Sequence, residues 1–122
     1  KAVMFNLGYL PGGDHTLTTK PETTIQALKE ALPILTTNGI ITVVSYRGHQ
    51  GAIEEYNSVK DFLSKINSKK YRVFSIDILN QEHLPPVLFV VIGTGRKTKY
   101  KNIQKMPVYK KPAFFINQSF SK

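Results

Sequence analysis

The sequence has 122 residues, which is enough for one small domain, and 41% of them are hydrophobic, which is compatible with a packed core. It contains no cysteine, so disulfides and thiolate metal sites are excluded, and this composition fits a reducing cytosol. No apolar run approaches the roughly 20 residues that a membrane-spanning helix needs, so no membrane partner is expected.

The net charge of +9 is unevenly placed along the chain. Residues 94–122 contain eight of the 17 basic residues and none of the eight acidic ones, so residues 1–93 are almost neutral. The charge therefore says little about residues 1–93. The sequence predicts a folded part at 1–93 and a basic, poorly ordered tail at 94–122.

Apolar periodicity predicts an alternation of strands and helices. Strands are predicted at 2–7, 40–46, 71–79 and 87–92, and helices at 20–36 and 52–67. The apolar run at 40–46 favours a strand that is covered on both faces. The short link at 80–86 predicts that the last two strands pair antiparallel. This order is typical of half of a doubly wound α/β sheet.

The first helix has clear end signals. Thr19-Lys20-Pro21-Glu22 fits a capping box with proline in the first turn. Pro33 removes a backbone donor and is expected to tighten or kink the last turn. In the second helix, Glu54 and Glu55 are expected to favour the positive end of the helix dipole.

A glycine-rich loop follows the first strand and carries a dense set of polar groups. It reads Asn6-Leu7-Gly8-Tyr9-Leu10-Pro11-Gly12-Gly13-Asp14-His15. Ligands bind at the carboxyl ends of strands in open α/β sheets, which favours a functional site here. Glycine, proline and aspartate are also ordinary turn residues, so a simple connection is the alternative.

This loop, followed by TKPETT and later by YRGHQGAIEE and LNQ, resembles the bacterial rRNA methylase family. Characterised members of that family are similar to tRNA (5-aminomethyl-2-thiouridine) methyltransferases. The resemblance runs from about Ala2 to Ile92. It implies the carboxyl-terminal half of a Rossmann-like class I methyltransferase sheet, strands four to seven, with the last strand antiparallel. Since Lys1 directly precedes a strand, an upstream half is expected to be missing and the chain alone to be inactive.

The resemblance also implies roles for the loop residues. The Asn6 side chain and the Leu7 carbonyl would accept hydrogen bonds from an amine and aim its lone pair. Asp14 and His15 are, with Asn6, the candidate catalytic residues, because either could accept the proton or orient the amine. Asn6, Leu7 and Gly8 would form one wall for S-adenosylmethionine. The substrate contacts are predicted to be Leu7, Tyr9, Leu10, Pro11, Gly12, Gly13, Tyr46, Arg47 and His49.

The implied activity is S-adenosylmethionine-dependent N-methylation of the aminomethyl group on a modified tRNA wobble uridine, in a bacterial cytoplasm. The anticodon region of tRNA is the expected partner, rRNA is the alternative, and a homodimer stays open. No residue spacing resembles a metal site. Two other functions compete: a non-enzymatic RNA-binding module that uses the basic tail, and an inactive truncated product.

Overall fold

The computed structural model describes residues 1–8, 12–14, 16–95 and 115–118. Their elements are β1 (Ala2–Asn6), α1 (Pro21–Ala31), a 3-10 turn (Leu32–Ile34), β2 (Ile40–Ser45), α2 (Ala52–Lys65), β3 (Tyr71–Ile76), β4 (Val87–Gly93) and β5 (Phe115–Gln118). The predicted order of strands and helices up to residue 93 is confirmed, with helix and strand ends that are generally a few residues shorter than predicted.

The five strands form one mixed sheet in the order β3-β4-β2-β1-β5. β1 and β2 are parallel, and Asn6 at the end of β1 is paired with Val44. β4 runs antiparallel to both β2 and β3, as predicted for the last pair of strands. The two parallel strands therefore end at the same edge of the sheet, and the loops that follow them start side by side.

Both helices cover the same face of the sheet. Side chains such as Val3, Ile41 and Val91 form one core cluster with Leu28 of α1 and Leu63 of α2. These sheet residues are neighbours across the strands, so their side chains point to the same side. The core therefore lies between the sheet and the two helices.

The opposite face of the sheet has no helix on it within the described part of the chain. Its middle row consists of Met4, Thr42, Val90 and Phe74. Met4 and Phe74 are each 48% exposed. The prediction that β2 is covered on both faces is therefore wrong for the described residues. An apolar run shows that the side chains of a strand could be buried. It does not show whether a helix is present to cover each face.

The ends of α1 confirm one prediction and correct another. Pro33 falls in the 3-10 turn that follows the helix, as expected for a residue that lacks an N–H donor. The capping box is wrong: Lys20 is the N-cap and makes no side-chain capping bond. The Thr19 hydroxyl donates instead to Oε1 of Glu55, at 2.8 Å. A contact 36 residues away thus replaces the local bond.

Part of the basic tail belongs to the sheet. β5 pairs antiparallel with β1, with Met4 opposite Ile116. Residues 115–118 lie within the tail 94–122 that was predicted to be poorly ordered, and the disorder of that tail stays a prediction. β5 lies along the edge of β1 that β2 leaves free. An unpaired strand edge readily accepts another extended segment, and 114–116 is the apolar part of the tail. Residues 96–114 and 119–122 lie outside the described residues.

Candidate active site

The candidate site is the edge of the sheet where β1 and β2 end. The parallel pairing continues one residue beyond β1, because the Leu7 N–H donates to the Val44 carbonyl at 3.0 Å. The Asn6 side chain is exposed at this edge. The Leu7 side chain is 4% exposed and belongs to the core. The role of the Leu7 carbonyl as an acceptor stays a prediction.

Gly8 lies where the two loops approach each other. Its φ is +118°, a conformation that side chains disfavour. A Cβ built on Gly8 would lie 3.3 Å from Cε1 of His49 and 3.8 Å from Cδ2 of Tyr46. Gly8, Tyr46 and His49, which were predicted from separate loops, thus lie together. Tyr46 is 40% exposed, which leaves part of its ring accessible at this edge.

The rest of the first loop is described only in part. Gly12 is exposed, Gly13 is half-buried and Asp14 is exposed. The predictions for Tyr9, Leu10, Pro11 and His15 fall outside the described residues. The roles of these four residues therefore stay predictions.

Asp14 stabilises its own turn. Its Oδ1 accepts hydrogen bonds from the Thr16 hydroxyl at 2.7 Å and from the Thr16 N–H at 2.9 Å. These bonds favour the charged form and lower the pKa of the Asp14 carboxyl below its usual value. A carboxylate with a lowered pKa is a weaker proton acceptor. The geometry therefore favours a turn-forming role for Asp14 over that of a general base, which stays a prediction.

Arg47 joins the second loop to the β3–β4 connection. Its Nε and Nη2 both donate to the Pro85 carbonyl, at 2.9 and 2.7 Å, and Nη2 forms an ion pair with Asp77 at 3.0 Å. The guanidinium also lies 5.4 Å from the centre of the Tyr56 ring. Its side chain is 12% exposed. These contacts give Arg47 a structural role, and its contact with an RNA phosphate stays a prediction.

Sequence reasoning missed a cluster of polar groups behind Gly8. The Gly8 N–H donates to the Thr19 hydroxyl oxygen at 2.8 Å, and the Thr19 N–H donates back to the Gly8 carbonyl at 3.0 Å. The Thr19 hydroxyl donates to Glu55, and the Thr24 hydroxyl donates to the other Glu55 oxygen at 3.0 Å. Glu55 is 3% exposed.

A sequence signal for Glu55 did exist. The buried residues of α2 are Ala52, Glu55, Val59 and Leu63, which follow one another at helical spacing. Glu55 therefore occupies a core position in the pattern. The neighbouring Glu54 is exposed and fits the role at the helix dipole that was expected for both residues.

Two negative findings bound the chemistry of the described residues. They contain no group of three or more histidine, aspartate or glutamate side chains arranged to hold a metal ion. Neither α1 nor α2, nor any other helix in the part of the chain that the structure describes, has the length and apolar character of a membrane span.

Comparison with known proteins places the chain in a family. A sequence model described as "Putative rRNA methylase" matches residues 1–92. A tRNA (mnm(5)s(2)U34)-methyltransferase, chloroplastic, of Arabidopsis thaliana is 39% identical over 90 residues, which are 74% of this chain and 33% of that protein. The residues that the family model matches include both loops of the candidate site.

Solved structures share the fold. A crystal structure of a "putative rRNA-methylase" from Clostridium thermocellum matches with a TM-score of 0.74 and 52% identity, over 76% of this chain and 50% of that one. A "putative methyltransferase" from Streptococcus mutans, solved in complex with SAH, matches with a TM-score of 0.70 and 31% identity over the same shares of the two chains. The chain spans about half the length of these structures and a third of the Arabidopsis protein.

Proposed function

We propose, since this chain belongs to the family described as "Putative rRNA methylase", that it is part of an S-adenosylmethionine-dependent methyltransferase that acts on RNA. The observation that carries the proposal is the position of Gly8 beside Tyr46 and His49, at the edge of the sheet where β1 ends with Asn6 and where β2 ends. The name of the Arabidopsis relative favours tRNA as the substrate and N-methylation of the aminomethyl group on a modified wobble uridine.

The chain is proposed to supply strands four to seven of a seven-stranded sheet through β1 to β4, with a strand of the other half replacing β5 beside β1. In this assignment β1 and β2 are strands four and five, and β4, the antiparallel strand, is the seventh, between β2 and β3. The face of the sheet without helices supports this assignment, because its large apolar side chains Met4 and Phe74 are about half exposed. A second layer of helices from another half would bury them.

The described residues fit one wall of a cofactor site. Asn6 is exposed at the sheet edge, and the absence of a side chain at Gly8 leaves room for the His49 ring, which would lie 3.3 Å from a Cβ there. A glycine-rich turn and an acidic residue on earlier strands, which the family resemblance leads us to expect for adenosine binding, would have to come from the other half. S-adenosylmethionine, when bound, supplies an electrophilic methyl group.

The chain's own residues would position the amine. The Asn6 side-chain oxygen and the Leu7 carbonyl are acceptors that can bind its N–H groups and direct its lone pair away from them, toward the methyl donor. Holding two reactants in this geometry lowers the barrier by removing orientational freedom. Tyr46 offers a partly exposed ring against which a flipped-out base could stack.

The test is a fusion protein. The chain is joined to the half of the Clostridium thermocellum protein that it does not match, and this hybrid is incubated with labelled S-adenosylmethionine and tRNA that carries 5-aminomethyl-2-thiouridine. We expect one methyl group on the aminomethyl nitrogen, identified by mass spectrometry of the nucleosides, and no transfer by the chain alone.

Three outcomes separate the alternatives. A hybrid that binds the cofactor but methylates neither tRNA nor rRNA contradicts the proposed function. Methylation of rRNA instead of tRNA would leave the reaction class intact and change the substrate. RNA binding by the chain alone, in the absence of any transfer by the hybrid, would favour an RNA-binding module.

A further inference from the structure

We propose that Glu55 is a positioning residue for the candidate site, and that it acts through Thr19 on the backbone of Gly8. The catalytic consequence of this inference rests on the proposed function. The hydrogen bonds that link Glu55 to Gly8 through Thr19 do not depend on it. The starting observation is that a 3% exposed carboxylate in the first turn of α2 binds two threonine hydroxyls at the start of α1.

Burial of this carboxylate is unfavourable unless both oxygens are hydrogen-bonded, and here each accepts one hydroxyl. Even so, a well-packed apolar side chain often stabilises a fold as much as a buried ionic group does. A simple contribution to stability is therefore a weak explanation of Glu55. Specification of one local geometry is a better one.

The geometry that Glu55 specifies is that of the Gly8 peptide. A hydroxyl has one proton, and the Thr19 proton points to Glu55. A lone pair of the same oxygen is then available to the Gly8 N–H, at 2.8 Å. The three groups form a chain of hydrogen bonds in which each bond polarises the next. The Thr19 N–H holds the Gly8 carbonyl as well, so Thr19 fixes Gly8 from both sides.

Gly8 in turn fixes the site. It follows Asn6 by two residues and lies beside His49 and Tyr46 of the second loop, both of which come within 4 Å of a Cβ built on Gly8. A change in the Gly8 peptide would move the first loop relative to both side chains. Small displacements of reacting groups have large effects on rate, so we infer that loss of the Glu55 carboxylate lowers catalysis without removing any group that touches substrate.

The decisive measurement is amide hydrogen exchange at Gly8 in the 122-residue chain, which needs no activity. Glu55→Leu fills the same space without accepting a hydrogen bond, and Thr19→Val removes the hydroxyl. We expect either change to accelerate exchange at Gly8 by about tenfold, the equivalent of about 1.4 kcal/mol, while the amides of β2 exchange as in the wild type. Thr19→Ser keeps the hydroxyl and should keep the protection.

Glu54→Gln is the matched control. It removes a negative charge from the same helical turn, but Glu54 is exposed and bonds neither threonine in the described structure. If the helix dipole explained Glu55, Glu54→Gln and Glu55→Leu would affect Gly8 alike, and the proposal would be wrong. Unchanged Gly8 exchange in Glu55→Leu would also overturn it. If Glu55→Leu does not fold, the comparison of Thr19→Val with Thr19→Ser replaces it. Equal exchange at Gly8 in these two variants would then overturn the proposal.

A kinetic measurement on the hybrid tests the catalytic consequence. We expect Glu55→Leu to lower kcat about tenfold or more with little change in the KM for tRNA, and Glu54→Gln to leave both unchanged. An equal loss in both variants contradicts positioning. If the wild-type hybrid transfers no methyl group, the proposed function fails, and the exchange measurement still decides whether Glu55 positions Gly8.

Discussion

Replacement of Gly8 by alanine tests the contact that joins the two loops. At φ = +118° a residue with a side chain is strained, at a cost of about 1–3 kcal/mol. The new Cβ would also lie 3.3 Å from His49 Cε1, which is tight and requires the imidazole to shift. Overpacking of this kind adds about 1 kcal/mol or more. We therefore expect Gly8→Ala to lower the free energy of unfolding by about 2–4 kcal/mol.

The assay is urea unfolding of the 122-residue chain. At an m-value of about 2 kcal/mol/M, the midpoint should fall by about 1–2 M. Gly12→Ala separates the backbone strain from the overpacking against His49. Gly12 also has a positive φ, +77°, but nothing lies within 4 Å of its Cβ position. It should cost about 1–2 kcal/mol. Gly48→Ala, with neither feature, should change stability by no more than about 0.5 kcal/mol.

A double-mutant cycle isolates the collision with His49. In a His49→Ala background, Gly8→Ala should cost about 1 kcal/mol less than in the wild type, because the collision is gone and the backbone strain remains. Equal costs in the two backgrounds would refute the proposed contact. Equal costs for Gly8→Ala and Gly12→Ala in the wild type would refute it as well.

Three further predictions concern other residues of the site. Arg47→Lys should lower the free energy of unfolding by about 1–3 kcal/mol in urea, because an ammonium cannot reproduce the paired bonds to the Pro85 carbonyl. In a carbon-13 NMR titration, Asp14 should titrate below its usual pKa, and Thr16→Ala should raise the midpoint. Because the folded-state pKa is lowered, any stability from this carboxylate is present above its unfolded-state pKa and is lost as the pH falls through the folded-state value. Asn6→Ala in the active hybrid should lower kcat far more than it weakens RNA binding, and a single-turnover change under about threefold would mean that Asn6 has another role.

The local patterns were sufficient to predict most of the fold up to residue 93. The apolar runs around Phe5 and Val43 gave both parallel strands, and Pro33 gave the tightened end of α1. β5 could not be predicted in the same way. A four-residue strand in a basic tail has little pattern of its own, and its pairing depends on an edge that is free elsewhere in the chain.

The candidate site also has parts that local patterns predict and parts that they do not. Gly8, Tyr46 and His49 could be expected to meet, because each follows a strand that ends at one edge of the sheet. Thr19 and Glu55 were each given a local role, in a helix cap and at a helix dipole. Their mutual bond spans 36 residues, and no short window of sequence contains both partners.

The strand β5 also has a consequence for assembly. One edge of β1 is hydrogen-bonded to β2 and the other to β5, so both rows of its backbone groups are occupied. Two segments cannot bond to the same row at once. Any strand that another polypeptide adds beside β1 must therefore displace residues 115–118 first, and β5 competes with such a strand as a tethered occupant at high effective concentration. Association through this edge is then an exchange of one strand for another, and a deletion of residues 115–118 would make it faster and tighter.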